Sequence, residues 1–144
     1  PEARLMLVGD GELRKTIEEK VVSLGLQDKV LFLGNRNDVA DLYNVMDIFV
    51  LPSFYEGLPV VGVEAQANDL KCLFSDNITK EVALVKQTEF ITLDESCAIW
   101  ARNVITAKNI RFCYEDYMNF TKNRFDIAQK AHDLEKKYLV LNRW

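Results

Sequence analysis

No apolar run in this chain approaches the roughly 20 residues that a membrane-spanning helix needs. Nothing at its start reads as a signal peptide, so a cytoplasmic chain is expected. Basic excess is missing too: 18 Lys and Arg stand against 22 Asp and Glu, a net charge of −4. That excludes the broad cationic footprint of nucleic-acid binding. Cysteine is scarce. Cys72, Cys97 and Cys113 lie far apart, and an odd count without metal-ligand spacing points to free thiols in a reducing compartment. One histidine, His132, sits in a polar helical stretch and cannot build a metal cluster alone; a surface or packing role is expected. Repeats, low-complexity tracts and linkers are absent. The most local absence lies between Asn37 and Leu70, which holds no Lys or Arg. The same stretch carries six acids: Asp38, Asp41, Asp47, Glu56, Glu64 and Asp69.

What is present is an ordinary globular composition, 49% hydrophobic and 28% charged over 144 residues, enough for one domain or part of a larger one. Short apolar runs at 4–10, 29–34, 47–52, 71–76 and 89–93 read as strands. Helical spacing predicts helices over 12–24, 39–46, 58–67 and 95–106, with a polar, amphipathic helical region from about 111 to 140. Gly25 stops the first helix, and Pro59 suits the first turn of the third. The strands are apolar throughout and alternate with helices. That pattern predicts an α/β fold, a Rossmann-like parallel sheet with helices on both faces. Ligands bind such sheets beyond the carboxyl ends of the strands. Three loops there become candidates: Gly9-Asp10-Gly11, Gly34-Asn35-Arg36, and Ser53 to Gly57.

The third loop raises the sharpest question. In SFYEGLPVVGVEAQ, Glu56 and Glu64 stand with seven residues between them in an otherwise uncharged stretch. Glu64 shares a helix face with Val60, Val61, Ala67 and Asn68, so its carboxylate is expected to be at least partly buried. A buried charge needs a partner, and no cation lies nearby in sequence. Hydroxyls, backbone N–H groups, a distant basic side chain or the diol of a ribose would serve. Glu56 precedes the helix, where simple capping competes with a ligand role. Gly57 permits close backbone approach, and the amides after it form an anion site reduced by Pro59.

Gly9-Asp10-Gly11 lacks the rest of a dinucleotide fingerprint, because the residue three beyond Gly11 is Arg14. It reads first as a tight strand-to-helix turn whose glycine backbone lines a cleft. Arg36 is either a solvated loop residue or a contact for an anionic ligand. Lys80 carries the same two readings.

These residues resemble a known family. LMLVGDGELR, VLFLGNRNDVADLYNVMDIFVLPSFYEGLPVVGVEAQA and SDNITKEV are similar to the C-terminal domain of retaining GT-B glycosyltransferases of group 1, GT4-like. The match runs from about Arg4 to Val82 and is looser beyond. PSxxEGLPxxxxEA, with its E-x7-E spacing, is its most specific element. The resemblance implies that residues 1–144 form a nucleotide-sugar-binding domain, with an acceptor-binding N-terminal domain across a cleft. Glu64 would hold the ribose hydroxyls, and Glu56 would approach the donor sugar and support departure of the nucleotide with retention. Gly57 and Leu58 would offer backbone N–H groups. Leu33, Gly34 and Asn35 would contact the base, with Arg36, Gly9 and Gly11 lining the donor site. No metal and no cofactor are implied. The donor would be a UDP- or GDP-sugar, and the acceptor a glycan or lipid-linked sugar met at the inner face of the membrane. No oligomeric state follows.

The departures carry expectations of their own. The family's basic GRL…KG segment and first strand would precede Pro1, so the sheet is expected to show a gap. This chain alone is expected to bind nucleotide weakly and to transfer nothing. Asn68 replaces a small-Gly turn and is expected to take the left-handed cap conformation. Asn77-Ile78-Thr79, where Gly-Gly is usual, is similar to the branch that builds capsular or exopolysaccharide. Three other readings compete: a non-catalytic nucleotide-binding module, a nucleotide-sugar epimerase of the same fold, and a response-regulator-like domain. For the last, Asp10 and Asp76 make a thin acidic cluster. The final helix, with Phe125, Ile127, Ala128, Ala131, Leu134 and Leu139, is expected to pack on a domain.

Overall fold

All five apolar runs form strands, each slightly shorter than the run that specifies it. The computed structural model describes residues 2–107 and 126–141. The chain divides into two units, Pro1–Val39 and Ala40–Trp144. The expected parallel sheet is present in two pieces, one in each unit.

The first unit pairs β1 (Leu5–Val8) in parallel with β2 (Val30–Gly34), Leu5 opposite Val30. Between them runs α1 (Arg14–Ser23), which ends as expected at Gly25. Its N-terminus follows the Gly9-Asp10-Gly11 turn, and the Arg14 N–H closes that turn on the Gly11 carbonyl at 3.0 Å.

The second unit orders its strands β3 (Ile48–Leu51), β4 (Lys71–Ser75) and β5 (Glu89–Ile91), all parallel. Short α2 (Val39–Tyr43) opens at the unit boundary. Residues 44–46, expected to continue it, tighten into i to i−3 bonds instead. β4 is buried along its whole length, as the central strand of such a sheet must be. Its first residue, Lys71, is buried against Glu89 at the amino edge, at the opposite end of β4 from the Ser75 side chain that bonds Ser53. An aromatic row, Tyr43, Phe49, Phe74 and Phe90, crosses one sheet face at centroid spacings of 6.2, 6.3 and 5.8 Å. Rings at these separations pack edge to face or tilted, which favours their quadrupoles.

α3 (Val60–Ala67) lies on that face. It begins two residues later than the sequence suggests, because Pro59 is the N-cap residue rather than part of the first turn. Its buried side is Gly62, Ala65 and Gln66. A methyl group built on Gly62 would stand 2.8 Å from Phe74 Cζ, so only glycine lets this helix approach the sheet so closely. After α3 it is Asp69 (φ 63°), not Asn68, that takes the left-handed conformation. Asn68 keeps a negative φ of −94°, and its side chain donates to the Glu64 carbonyl at 2.9 Å.

α4 (Cys97–Ala107) follows β5, anchored by the Trp100 indole N–H on the Thr92 carbonyl at 3.2 Å. In α5 (Ile127–Leu141) no residue is buried, and Ile127, Ala128, Ala131, Leu134 and Leu139, expected to pack on a domain, are exposed among the described residues. His132 is exposed beside Glu135, on the surface as expected. The part of the helical region before Asp126, including Phe125 and Cys113, lies outside the described residues. Cys72 is buried and Cys97 exposed, both free. Burial pushes the Cys72 thiol up, which keeps it protonated and unreactive.

Candidate functional site

In the first unit the two glycine turns are joined directly. The Gly9 N–H donates to the Gly34 carbonyl at 2.8 Å, and both residues are left-handed (φ 116° and 62°). Their chain direction is thus fixed at the carboxyl ends of β1 and β2, where a ligand of such a sheet is expected. The Asp10 carboxylate folds back onto the Gly11 N–H at 2.8 Å, as a turn-forming Asp does. Arg14, noticed in the sequence only as a break in a glycine motif, is the cation of this corner. Its guanidinium bonds Glu18 at 2.9 Å and Asp10 at 3.4 Å and lies 5.9 Å from the Phe32 ring centre. The i, i+4 spacing to both acids was the signal available for it. Arg36 is held by Asp38 through two bonds of 2.7 and 2.5 Å. These bonds raise Arg36 and hold the Asp38 carboxyl below its usual range.

In the second unit Glu56 does not cap α3. That helix has no side-chain cap at all, and Glu56 instead accepts from the Ser53 hydroxyl at 2.9 Å. The Ser53 carbonyl in turn accepts from the buried Ser75 hydroxyl at the end of β4. The Glu56 loop is therefore tied to the central strand and is closed on itself by a hydrogen bond. Gly57 and Leu58 follow, both exposed, and no atom lies within 4 Å of where a Gly57 side chain would begin. The backbone there is open to approach.

Glu64 is exposed, not partly buried as its helix face suggested. The face it shares with Val60 and Val61 points outward; Val60 is 64% exposed. α3 is apolar on every side, so its pattern could not say which side the sheet would cover. Glu64 meets a hydroxyl: Tyr43, at the end of α2, donates to Glu64 Oε2 at 3.3 Å and to the Val61 carbonyl at 3.2 Å. Burial first, and the Glu64 charge second, push the Tyr43 hydroxyl up to about 12, so at neutral pH it is a fixed donor.

Gln66, two residues on, is wholly buried, and sequence reasoning missed it. Its amide donates to the carbonyls of Gly62 and Val82, both at 2.8 Å. It accepts from the Leu84 N–H at 3.0 Å and the Thr88 hydroxyl at 2.9 Å. α3 is thereby pinned to the segment that carries Lys80. Lys80 itself is neither simply solvated nor free, since its ammonium sits 3.5 Å from the centre of the Phe90 ring.

Residues 1–124 match the model of the family described as glycosyl transferases group 1. The chain belongs to this family. It is 44% identical over 105 residues to the putative glycosyltransferase EpsF of Bacillus subtilis, 72% of this chain and 27% of that protein. It is 30% identical over 152 residues to the UDP-Gal:alpha-D-GlcNAc-diphosphoundecaprenol alpha-1,3-galactosyltransferase of Escherichia coli, 99% of this chain and 39% of that one. A Vi polysaccharide biosynthesis protein of Salmonella typhi is 44% identical over 141 residues, 97% of this chain and 23% of its own length. The chain thus spans between 23% and 39% of the length of these relatives. Among solved structures, Anabaena HepE in complex with UDP superposes with a TM-score of 0.76 at 22% identity, over 97% of this chain and 42% of that one. A lipopolysaccharide outer core galactosyltransferase superposes at 0.71 and 16% identity, over 86% and 37%. The fold is that of GT-B glycosyltransferases, and the relatives include proteins of polysaccharide biosynthesis.

Proposed function

We propose that this domain holds a nucleotide-diphosphate sugar, and that the protein to which it belongs transfers the hexose, with retention, to a glycan or lipid-linked acceptor. The observation that carries the proposal is the different mounting of the two motif carboxylates. Glu56 sits on a loop tied to the sheet edge, and Glu64 lies along α3 with one oxygen engaged by Tyr43.

Glu64 keeps acceptor capacity for the two hydroxyls of a ribose, which a carboxylate pairs well. Glu56, held by Ser53, is assigned to the donor sugar, where its charge steadies the positive character that develops as the nucleotide departs. The open backbone at Gly57 and Leu58, ahead of α3, is assigned to sugar or phosphate oxygens. Leu33, Gly34 and Asn35 are assigned to the base through their backbone, with Gly9 and Gly11 lining the donor. Arg36 has guanidinium N–H groups beyond the two bonds to Asp38 and is assigned an anionic contact. The proposal calls on no metal and no cofactor. A UDP-linked donor is supported by the UDP named for HepE and by the E. coli relative's name; that name also supports a lipid-linked acceptor and work at a membrane surface. Among the described residues no helix is long and apolar enough to cross a membrane.

An NMR titration with UDP, GDP and ADP, beside Glu64→Ala, tests the assignment. One nucleotide should shift the resonances of Leu33 to Arg36 and of Gly57 to Glu64, and the variant should lose that response. A response to no nucleotide, or one indifferent to Glu64, would remove the donor reading.

A further inference from the structure

Between Ser53 and Glu56 stand Phe54 and Tyr55, exposed by 83% and 84%. Neither packs in a core, yet both sit on a loop closed by the Ser53 to Glu56 hydrogen bond and anchored by Ser75. Two solvated rings on a mobile tip would need no explanation. Two rings held out beside a positioned carboxylate leave apolar surface unused where a ligand is expected to arrive.

We propose that Phe54 and Tyr55 form an aromatic platform for a neutral sugar ring of the acceptor, next to the hydroxyl that reacts. This rests on the donor reading above and extends it. The chemistry that favours a sugar is threefold. A ring face accepts the apolar C–H side of a pyranose, while the Tyr55 hydroxyl remains free to meet water or a sugar hydroxyl at the ring edge. The adjacent Glu56 accepts hydroxyl protons. The whole stretch from Asn37 to Leu70 carries acids and no Lys or Arg, so no side chain there would pair an acidic sugar on these rings, which suits a neutral, hydroxyl-rich one. A nucleobase could also stack on these rings, but Glu64, the carboxylate assigned to the ribose, lies further along on α3, whereas the rings flank the carboxylate assigned to the sugar.

The test is saturation-transfer NMR on the full chain with Phe and Tyr ring protons irradiated, in saturating UDP. Methyl glucoside, methyl galactoside and methyl N-acetylglucosaminide serve as probes. At least one glycoside should draw signal from the rings, and Phe54→Ser/Tyr55→Ser should lose most of it. That double variant should keep its melting temperature and its Glu64-dependent response to UDP. Absence of glycoside signal while UDP binds overturns the platform and leaves the donor reading standing. So does signal that survives in the double variant. Loss of the UDP response in the double variant overturns it in favour of base stacking. Broadening of the rings by phosphatidylglycerol vesicles, with no glycoside signal, overturns it in favour of a membrane contact. A ring-dependent glycoside signal without any UDP response upholds the platform and removes the donor reading instead.

Discussion

The Tyr43 hydroxyl stands 3.3 Å from Glu64 Oε2, donating to it from 21 residues away in sequence while also touching the Val61 carbonyl at 3.2 Å. The tyrosine is nearly wholly buried and its carboxylate partner exposed. A rigid donor from the core therefore orients a solvated acceptor. Tyr43→Phe keeps the ring in the aromatic row and removes only this donor. Stability should fall by about 0.5–1.5 kcal/mol in urea denaturation. UDP affinity should fall by a few-fold, because Glu64 must then be ordered by the ligand itself. Unchanged affinity would separate the tyrosine from the site.

The same contact sets a pH dependence. Folding moves the Tyr43 hydroxyl from its ordinary 10.0 up to about 12. Between those values the unfolded chain has released a proton that the folded chain retains, so the unfolded state binds fewer protons and stability falls as pH rises. The contribution is whole below pH 10 and lost above about 12. Urea midpoints compared on either side of pH 10 should therefore decline more steeply for the native chain than for Tyr43→Phe. Parallel curves would contradict the burial of this hydroxyl.

Two glycines five residues apart should answer alanine in opposite ways. At Gly62 the new methyl would meet Phe74 Cζ at 2.8 Å and Val82 Cγ2 at 3.2 Å, forcing α3 away from the sheet. Overpacking of this kind costs about 1–3 kcal/mol. At Gly57 nothing lies within 4 Å and the backbone is not left-handed, so Gly57→Ala should leave the melting temperature unchanged. If a ligand approaches that backbone, the same methyl should weaken UDP-sugar binding about tenfold or more, measured by calorimetry. A stable Gly62→Ala would mean that α3 can shift on β4.

The alternating apolar runs made the strands and most helices legible, because a strand covered on both faces must be apolar throughout. The two glutamates were legible as a pair for the opposite reason: charge in an uncharged stretch is conspicuous. Their surroundings were not. Glu64 read as partly buried because α3 has apolar residues on every side, and only the sheet decides that Gly62, Ala65 and Gln66 face inward. Glu56 read as a candidate cap, but its donor, Ser53, lies upstream in its own loop. The pattern did not show that the strands would fall into two separate sheets, β1-β2 and β3-β4-β5. Gln66 gave no local signal at all, since its partners across the fold lie 16 to 22 residues away.

That glutamine carries the largest expected loss. An amide side chain has two donor hydrogens and two acceptor positions, and Gln66, itself wholly buried, uses all four. Gln66→Leu would fit the volume but strand the Val82 carbonyl, the Leu84 N–H and the Thr88 hydroxyl. The buried Val82 carbonyl alone costs about 1–3 kcal/mol and the half-buried Leu84 and Thr88 groups add to it, so a total loss of roughly 3 kcal/mol or more is expected. Gln66→Glu discriminates between lost volume and lost hydrogen bonds. Its carboxylate could still accept from Leu84 and Thr88, but it would have no hydrogen to give the Val82 carbonyl until protonated. Burial and that carbonyl would raise its folded pKa, so the variant should gain stability relative to the native chain as pH falls. Urea midpoints at mildly acidic and neutral pH should show Glu recovering toward Gln at the lower value, while Leu stays equally impaired at both. Equal impairment of Glu at both would mean that the Val82 bond is not what holds this segment to α3.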